Sequence, residues 1–210
     1  MKKNELYVYL ALSLAILIPL PGRFAYGVIT VLTLYILTLL GILFRKLSSM
    51  FFEYGIHCIL ITAMLISTSV LLRQVLILIC PYMAFIMGIN FYVSAFSAFV
   101  MGNLYRQTVI PVKDSIKIGV AKCSAFGAFA LIFFLIRDVF GYGTITLPGT
   151  DGLNEVTLFE FNSVSFIGSF FASIPGAVIL LAVLISSIAS LMKHFEIIAT
   201  ARTEEGAGND

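Results

Sequence analysis

Few side chains in this sequence could do chemistry, and most of them stand in apolar surroundings. Lys122 lies within KIGVAKCSAFG, Asn90 within FIMGINFYV, and Arg137 and Asp138 close the apolar run LIFFLIRD. Ionisable or strongly polar groups inside apolar segments are costly, and they mark ion paths, proton relays or helix–helix contacts. Lys122 either faces the interior of a helix bundle or extends its stem to the membrane surface. Asn90 either lines an ion path or hydrogen-bonds a neighbouring helix. Asp114 is placed to cap a helix beginning at Ser115. Arg137 and Asp138 mark the water boundary of a helix, with Arg137 pairing either with Asp138 or with a partner subunit.

Other chemistries find little support. Cys58, Cys80 and Cys123 lie in apolar runs without C-x-x-C spacing, so neither a disulfide framework nor a zinc site is signalled. His57 and His194 have no partner at metal-ligand spacing. A phosphate-binding glycine loop, paired carboxylates within a span and a Ser-His-Asp set are all missing, so nothing supports a hydrolase or transferase reading. A formal net charge of +2 is too small to suggest a nucleic-acid partner. The remaining possibilities are transport, or electron transfer within an assembly.

The elements that must position these groups are membrane helices. Of 210 residues, 60% are hydrophobic and 11% charged, with a mean hydropathy of +1.05. An average soluble domain is about one quarter charged, so lipid is the solvent expected here. A span needs roughly 20 apolar residues. Six candidates are read at residues 6–20, 24–44, 56–72, 75–101, 115–136 and 173–192, with an outer loop at 137–163 and a polar tail at 193–210, all in one membrane domain. The segment 164–172 either extends the last span or lies at the interface. The first span, without a small-x-small cleavage site, reads as retained rather than as a signal peptide.

Two spans are interrupted. The first is closed by Pro19 and Pro21-Gly22, and the fourth is broken at Cys80-Pro81 and passes through Gly88. Similar breaks three spans apart suggest a 3+3 inverted repeat, in which broken helices meet near the midplane and form the working site. Prolines are also common in membrane helices for plainer reasons. The cations support an orientation. Lys2, Lys3, Arg45, Lys46, Arg106, Lys113, Lys117, Lys193 and Arg202 fall on the side of the N-terminus, and only Arg23, Arg73 and Arg137 on the other. By the positive-inside rule both termini are expected in the cytoplasm, the chain crossing the inner membrane several times.

Several short stretches, taken in order, resemble one family of membrane subunits, that of the Rnf electron transport complexes and the related sodium-translocating NADH:quinone reductases (Nqr). IRDVFGYGTITLP resembles the Arg-Glu-x-x-Gly-x-Gly-Thr segment that closes the family's fifth helix. VKDSIKIGVAK is similar to the Asp-Gly-x-x-x-Gly start of that helix, with Asp114 and Gly119 matching. IPGAVILLAVLISSI resembles the Pro-Gly-Ala opening of the last helix, and LIPLPG and LICPYMAFIMG resemble the two broken helices. The likeness covers the chain to about residue 195.

The resemblance implies a six-helix inverted repeat paired with a homologous subunit of opposite orientation, alongside other redox subunits. It also implies an iron–sulfur cluster held by cysteines in the broken helices. This chain departs from the family there. Ile18 precedes Pro19, Met87 stands about where the second cysteine belongs, Cys80 is displaced, and the first loop is shortened to PGRFAYG. A thiolate ligand cannot be replaced by isoleucine. The expectation is therefore a subunit of an Rnf/Nqr-like redox-driven ion pump without its own cluster ligands and not catalytic alone. The alternative is a six-helix small-molecule or vitamin transporter component.

Overall fold

The computed structural model describes residues 16–49, 54–97, 111–149, 152–159, 166–187 and 190. The greater part of the first expected span, residues 98–110, the tail 193–210 with His194, and the side chains of His57 and Cys58 lie outside the described residues.

The described chain is mostly helical and contains three helices long and apolar enough to cross a membrane. After a turn at 16–20 come α1 (Phe24–Ser49) and α2 (Tyr54–Ile79), each of 26 residues. Two short helices follow, α3 (Pro81–Met87) and α4 (Asn90–Phe96). The longest, α5 (Val112–Tyr142), has 31 residues and rises about 46 Å at 1.5 Å per residue. An antiparallel hairpin of β1 (Thr144–Gly149) and β2 (Gly152–Thr157) comes next, then α6 (Phe166–Ala172) and α7 (Ile174–Ser187).

Helices α1 and α5 form the centre. A Cβ on Gly27 would stand 2.5 Å from the Phe134 ring, and one on Gly127 2.9 Å from Val31. Small residues thus let the two backbones approach closely, as membrane helix pairs require. Around this seam lie Tyr26, Leu34, Leu37, Ile42, Phe133 and Phe134, all buried. Hydroxyls within the helices bond their own backbone: Thr30 to the Tyr26 carbonyl, Thr68 to Met64 and Ser69 to Leu65. That satisfies polar groups where no water is available. The outer faces are apolar, with Ile59, Leu71, Leu78 and Phe85 largely exposed. So extended an apolar surface fits lipid and not water.

Several boundaries differ from the sequence-based expectation. Nothing in residues 66–79 breaks a helix, and α2 continues past Arg73 to Ile79, so Val75 belongs to α2 rather than opening a new span. The break at Cys80-Pro81 is where expected, because Pro81 has no N–H to continue the ladder and occupies the first helical position of α3. Residues 166–172 form their own helix, separated from α7 at Ser173, whose hydroxyl accepts the Gly176 N–H at 3.3 Å. The expected outer loop contains the hairpin, and α5 extends six residues beyond Ile136 before Gly143, at φ 70°, caps it in the left-handed conformation.

Candidate functional site

Arg137 and Asp138 were expected at a water boundary. The structure corrects this: α5 runs on through Val139–Tyr142, and the two residues are 1% and 0% exposed. Nor do they pair with each other. Adjacent helical positions point about 100° apart, and each side chain serves a different part of the fold.

Arg137 gathers carbonyls at chain breaks. Its Nη1 donates to the Leu20 carbonyl at 2.9 Å, its Nε to Phe171 at 3.3 Å, and its Nη2 to Ala172 at 3.1 Å and Ser173 at 3.5 Å. Leu20 ends the turn before Pro21, while Phe171 and Ala172 end α6. A helix end leaves its last carbonyls without partners and carries partial negative charge. The planar guanidinium, with five donors, suits several such acceptors at once. Gly22 gives it room, since a Cβ there would lie 3.2 Å from Nε. The Phe133 ring lies below the guanidinium, 5.5 Å from centroid to Cζ.

Asp138 does the converse job at a helix start. Its Oδ2 accepts the Phe24 N–H at 3.0 Å, the Thr146 N–H at 2.7 Å and the Thr146 hydroxyl at 2.6 Å; its Oδ1 accepts the Thr144 hydroxyl at 3.1 Å. The Thr146 Oγ1 in turn accepts the Ala25 N–H at 3.3 Å. The orphan donors of the first turn of α1 are thus served from α5 and β1, and negative charge at that N-terminus is favourable. Arg23 completes the network. Its Nη1 lies 3.1 Å from Glu155 Oε1, donates to Thr144 Oγ1 at 3.1 Å and stands 3.9 Å from Asp138 Oδ1, while its Cζ sits 3.9 Å above the Tyr142 ring.

The remaining expected residues are elsewhere. Asp114 is not the cap of α5, a position that falls to Pro111; it is exposed in the first turn, where a carboxylate still favours the helix dipole. Lys122 is half-buried on α5. Asn90 opens α4 directly after the break at Gly88, which turns the chain at φ 27°. Asn90 is 5% exposed, and its Oδ1 has no hydrogen-bond partner among the described residues. Pro19 is exposed in the turn at 16–20, Ile18 is half-buried beside it, and Met87 is buried at the end of α3. Cys80 and Cys123 are free and buried, and the Cys123 Sγ donates to Thr38 Oγ1 at 3.2 Å. Among the described residues no three metal-ligating side chains come together.

Arg23, Thr144, Thr146 and Glu155 were not singled out from sequence. The alternation in TITL and the Asp-Gly dipeptide at 151–152 carry a hairpin signal in the sequence, and a hairpin places Thr144 and Thr146 on one face beside Asp138. With its guanidinium filled by backbone carbonyls and its carboxylate by backbone N–H groups and threonine hydroxyls, this network holds helix ends in place. Among the described residues two buried side-chain atoms have no hydrogen-bond partner, Arg73 Nε on α2 and, at the other break, Asn90 Oδ1. Compared with protein-family models and with curated proteins, the chain matches none.

Proposed function

We propose that this chain is a membrane-integral subunit of an Rnf/Nqr-like, redox-driven ion-translocating electron transport complex. In this reading its six spans form a 3+3 inverted repeat in the inner membrane, with both termini cytoplasmic. It pairs with a homologous membrane subunit of opposite orientation and with other redox subunits, and supplies helices rather than cluster ligands. The reading rests on the ordered motif set and on no match of the whole chain. The observation that supports it most is the part played by RDVFGYGT: its Arg137 ties the turn at Pro19–Gly22 to the end of α6, so the stretch that carries the resemblance also holds the segment that resembles the family's first broken helix.

The test is company and iron. Purified gently in mild detergent, the chain should bring flavin- or iron–sulfur-bearing subunits with it, and Cys80→Ser should leave the iron content of that complex unchanged. Recovery as a lone, well-behaved monomer under every gentle condition would remove the proposal. Loss of iron in the Cys80 variant would instead place a cluster ligand here. A reporter fused after Asp210 should read cytoplasmic and one near Asp151 external; the reverse pattern would invert the orientation.

A transporter component is the second reading, favoured by one observation. Asn90 offers a buried side-chain carbonyl oxygen, without a partner among the described residues, at a helix break, a feature that suits a path for an ion or small polar solute. A nucleotide-driven coupling module recovered in place of redox subunits would favour it.

A further inference from the structure

The hairpin has one covered edge and one open edge. Gly143 accepts the Leu158 N–H at 2.9 Å, and that bond sets the alternation along the ladder. Bonded pairs fall at 145/156, 147/154 and 149/152. The N–H and C=O groups of residues 144, 146 and 148 therefore point away from β2, and those of 153, 155 and 157 away from β1. Thr146 agrees, since its N–H leaves the sheet for Asp138. The β1 edge is thus closed by Asp138 and by Pro148, which has no N–H to offer. On the β2 edge Glu155 and Thr157 are exposed, and their outward backbone groups have no partner among the described residues. Natural strand edges are commonly protected against pairing by lysine or proline. Both are absent from GLNEVT, whose single charge, Glu155, is turned to Arg23.

We propose that this edge pairs with the same edge of a second copy of the chain, the two β2 strands running antiparallel about a two-fold axis. Val156 sits at the axis opposite Val156 of the partner subunit, and Glu155 lies opposite Thr157 of the partner subunit. This register joins outward backbone groups to outward backbone groups and places a β-branched apolar pair at the centre. Centring the pair one residue earlier would set the two Glu155 carboxylates against each other, and like charges directly opposite are destabilising. The symmetry also suits a membrane protein. Antiparallel neighbours are related by a two-fold axis normal to their sheet. The first N–H groups of α1 point outward along its axis, and the Thr146 hydroxyl, projecting from the sheet face, accepts that of Ala25. The sheet therefore lies across the end of α1 with its normal along the helix, and the two-fold leaves both copies in one orientation in the bilayer. The joined sheet also exceeds the roughly three strands needed for independent stability. The inference does not rest on which complex the chain serves.

The experiment is oxidative crosslinking of the full chain in its native membranes, with single cysteines placed in turn from 154 to 158. The parent chain, whose Cys80 and Cys123 are buried, is the blank. A disulfide closes only where Cβ atoms come within about 4.5 Å, a separation that directly opposed residues reach. Val156→Cys should give about tenfold more crosslinked homodimer than Leu147→Cys, which is similarly exposed but stands on β1, away from the open edge. Added to Val156→Cys, Thr157→Pro removes an outward donor without touching a ladder bond of the hairpin, and should cut the crosslink severalfold. Thr157→Val keeps that N–H and should leave the crosslink intact. Should the proline variant lose its fold, seen as faster proteolysis across 144–157, the cysteine scan alone carries the test through its maximum at 156. A maximum at another position, a yield at 156 no greater than that of Leu147→Cys, a crosslink that survives Thr157→Pro, or one that joins Val156→Cys to a chain of different mass would each overturn the proposal.

Discussion

The chain is interrupted twice between apolar segments, and the two breaks are serviced in opposite ways. At Pro19–Arg23 the help comes from far along the sequence: Arg137 takes the Leu20 carbonyl, Asp138 takes the Phe24 N–H, and Thr146 takes that of Ala25. At Cys80–Asn90 it is local. The Cys80 N–H bonds Leu76, Ala84 bonds Cys80, and Gly88 bonds Ala84, each within one turn. The first break is thereby clamped into the tertiary structure, with its polar groups consumed. The second is held by its own backbone and leaves Asn90 Oδ1 without a partner among the described residues. Burial of polar atoms alone does not locate a working site here; the distinction is whether their bonding capacity is already filled.

If the first break is a clamp, removing its central donor should have the largest effect on folding. Arg137→Leu strands the carbonyls of Leu20, Phe171 and Ala172 in apolar surroundings, and each unsatisfied buried group costs about 1–3 kcal/mol. Folded protein should be largely lost, read as a collapse of the monodisperse peak and of the thermal transition in detergent. Arg137→Lys should recover only part of it, because three donors on a flexible stem cannot reproduce a planar fork. Near-normal stability of Arg137→Leu would make the two breaks equivalent.

A smaller and more local loss is expected from Asp138→Asn. The carboxylate accepts four hydrogen bonds, and an amide would turn a donor toward donors already present. Hydrogen bonds to a charged group are worth about 1.5–3 kcal/mol, and roughly 2 kcal/mol is expected in thermal unfolding. The hairpin should loosen first, seen as faster proteolysis or amide exchange across 144–157. Its register, Thr144 opposite Thr157 through Gly149 opposite Gly152, otherwise leaves only two strands, and a two-stranded unit is marginal alone.

The contrast between the breaks was only partly legible in the sequence. Proline and glycine announced both interruptions, and apolar length announced α1, α2 and α5, because those signals are local. What Arg137 and Asp138 do was not legible, since an Arg-Asp pair at the end of an apolar run ordinarily meets water. Their burial follows from the chain returning over them: Val139–Tyr142 extend α5, Gly143 reverses direction, and β1 lays Thr144 and Thr146 against the carboxylate. No periodicity within α5 encodes that. Arg73 gives the same lesson. Counted by charge it belonged to a loop, yet it lies inside α2 with its Nη1 3.4 Å from the Tyr92 hydroxyl.

The smallest effect on stability should come from the second break, and there it carries the most information about function. Asn90→Leu keeps the number and branching of side-chain heavy atoms and removes an acceptor that has no partner among the described residues. Replacing a buried polar group whose bond is not made with an apolar one is nearly neutral, so unfolding should change by no more than about 1 kcal/mol. The functional readouts then separate. If the oxygen lines a path for an ion or solute, translocation by the assembled system should fall at least tenfold while the variant remains folded and assembled. If it instead receives a donor from a neighbouring subunit, co-purification should weaken and translocation should fall only in proportion. A loss of stability comparable to that of Arg137→Leu would mean that this atom is bonded within the chain, and the second break would then be a clamp like the first.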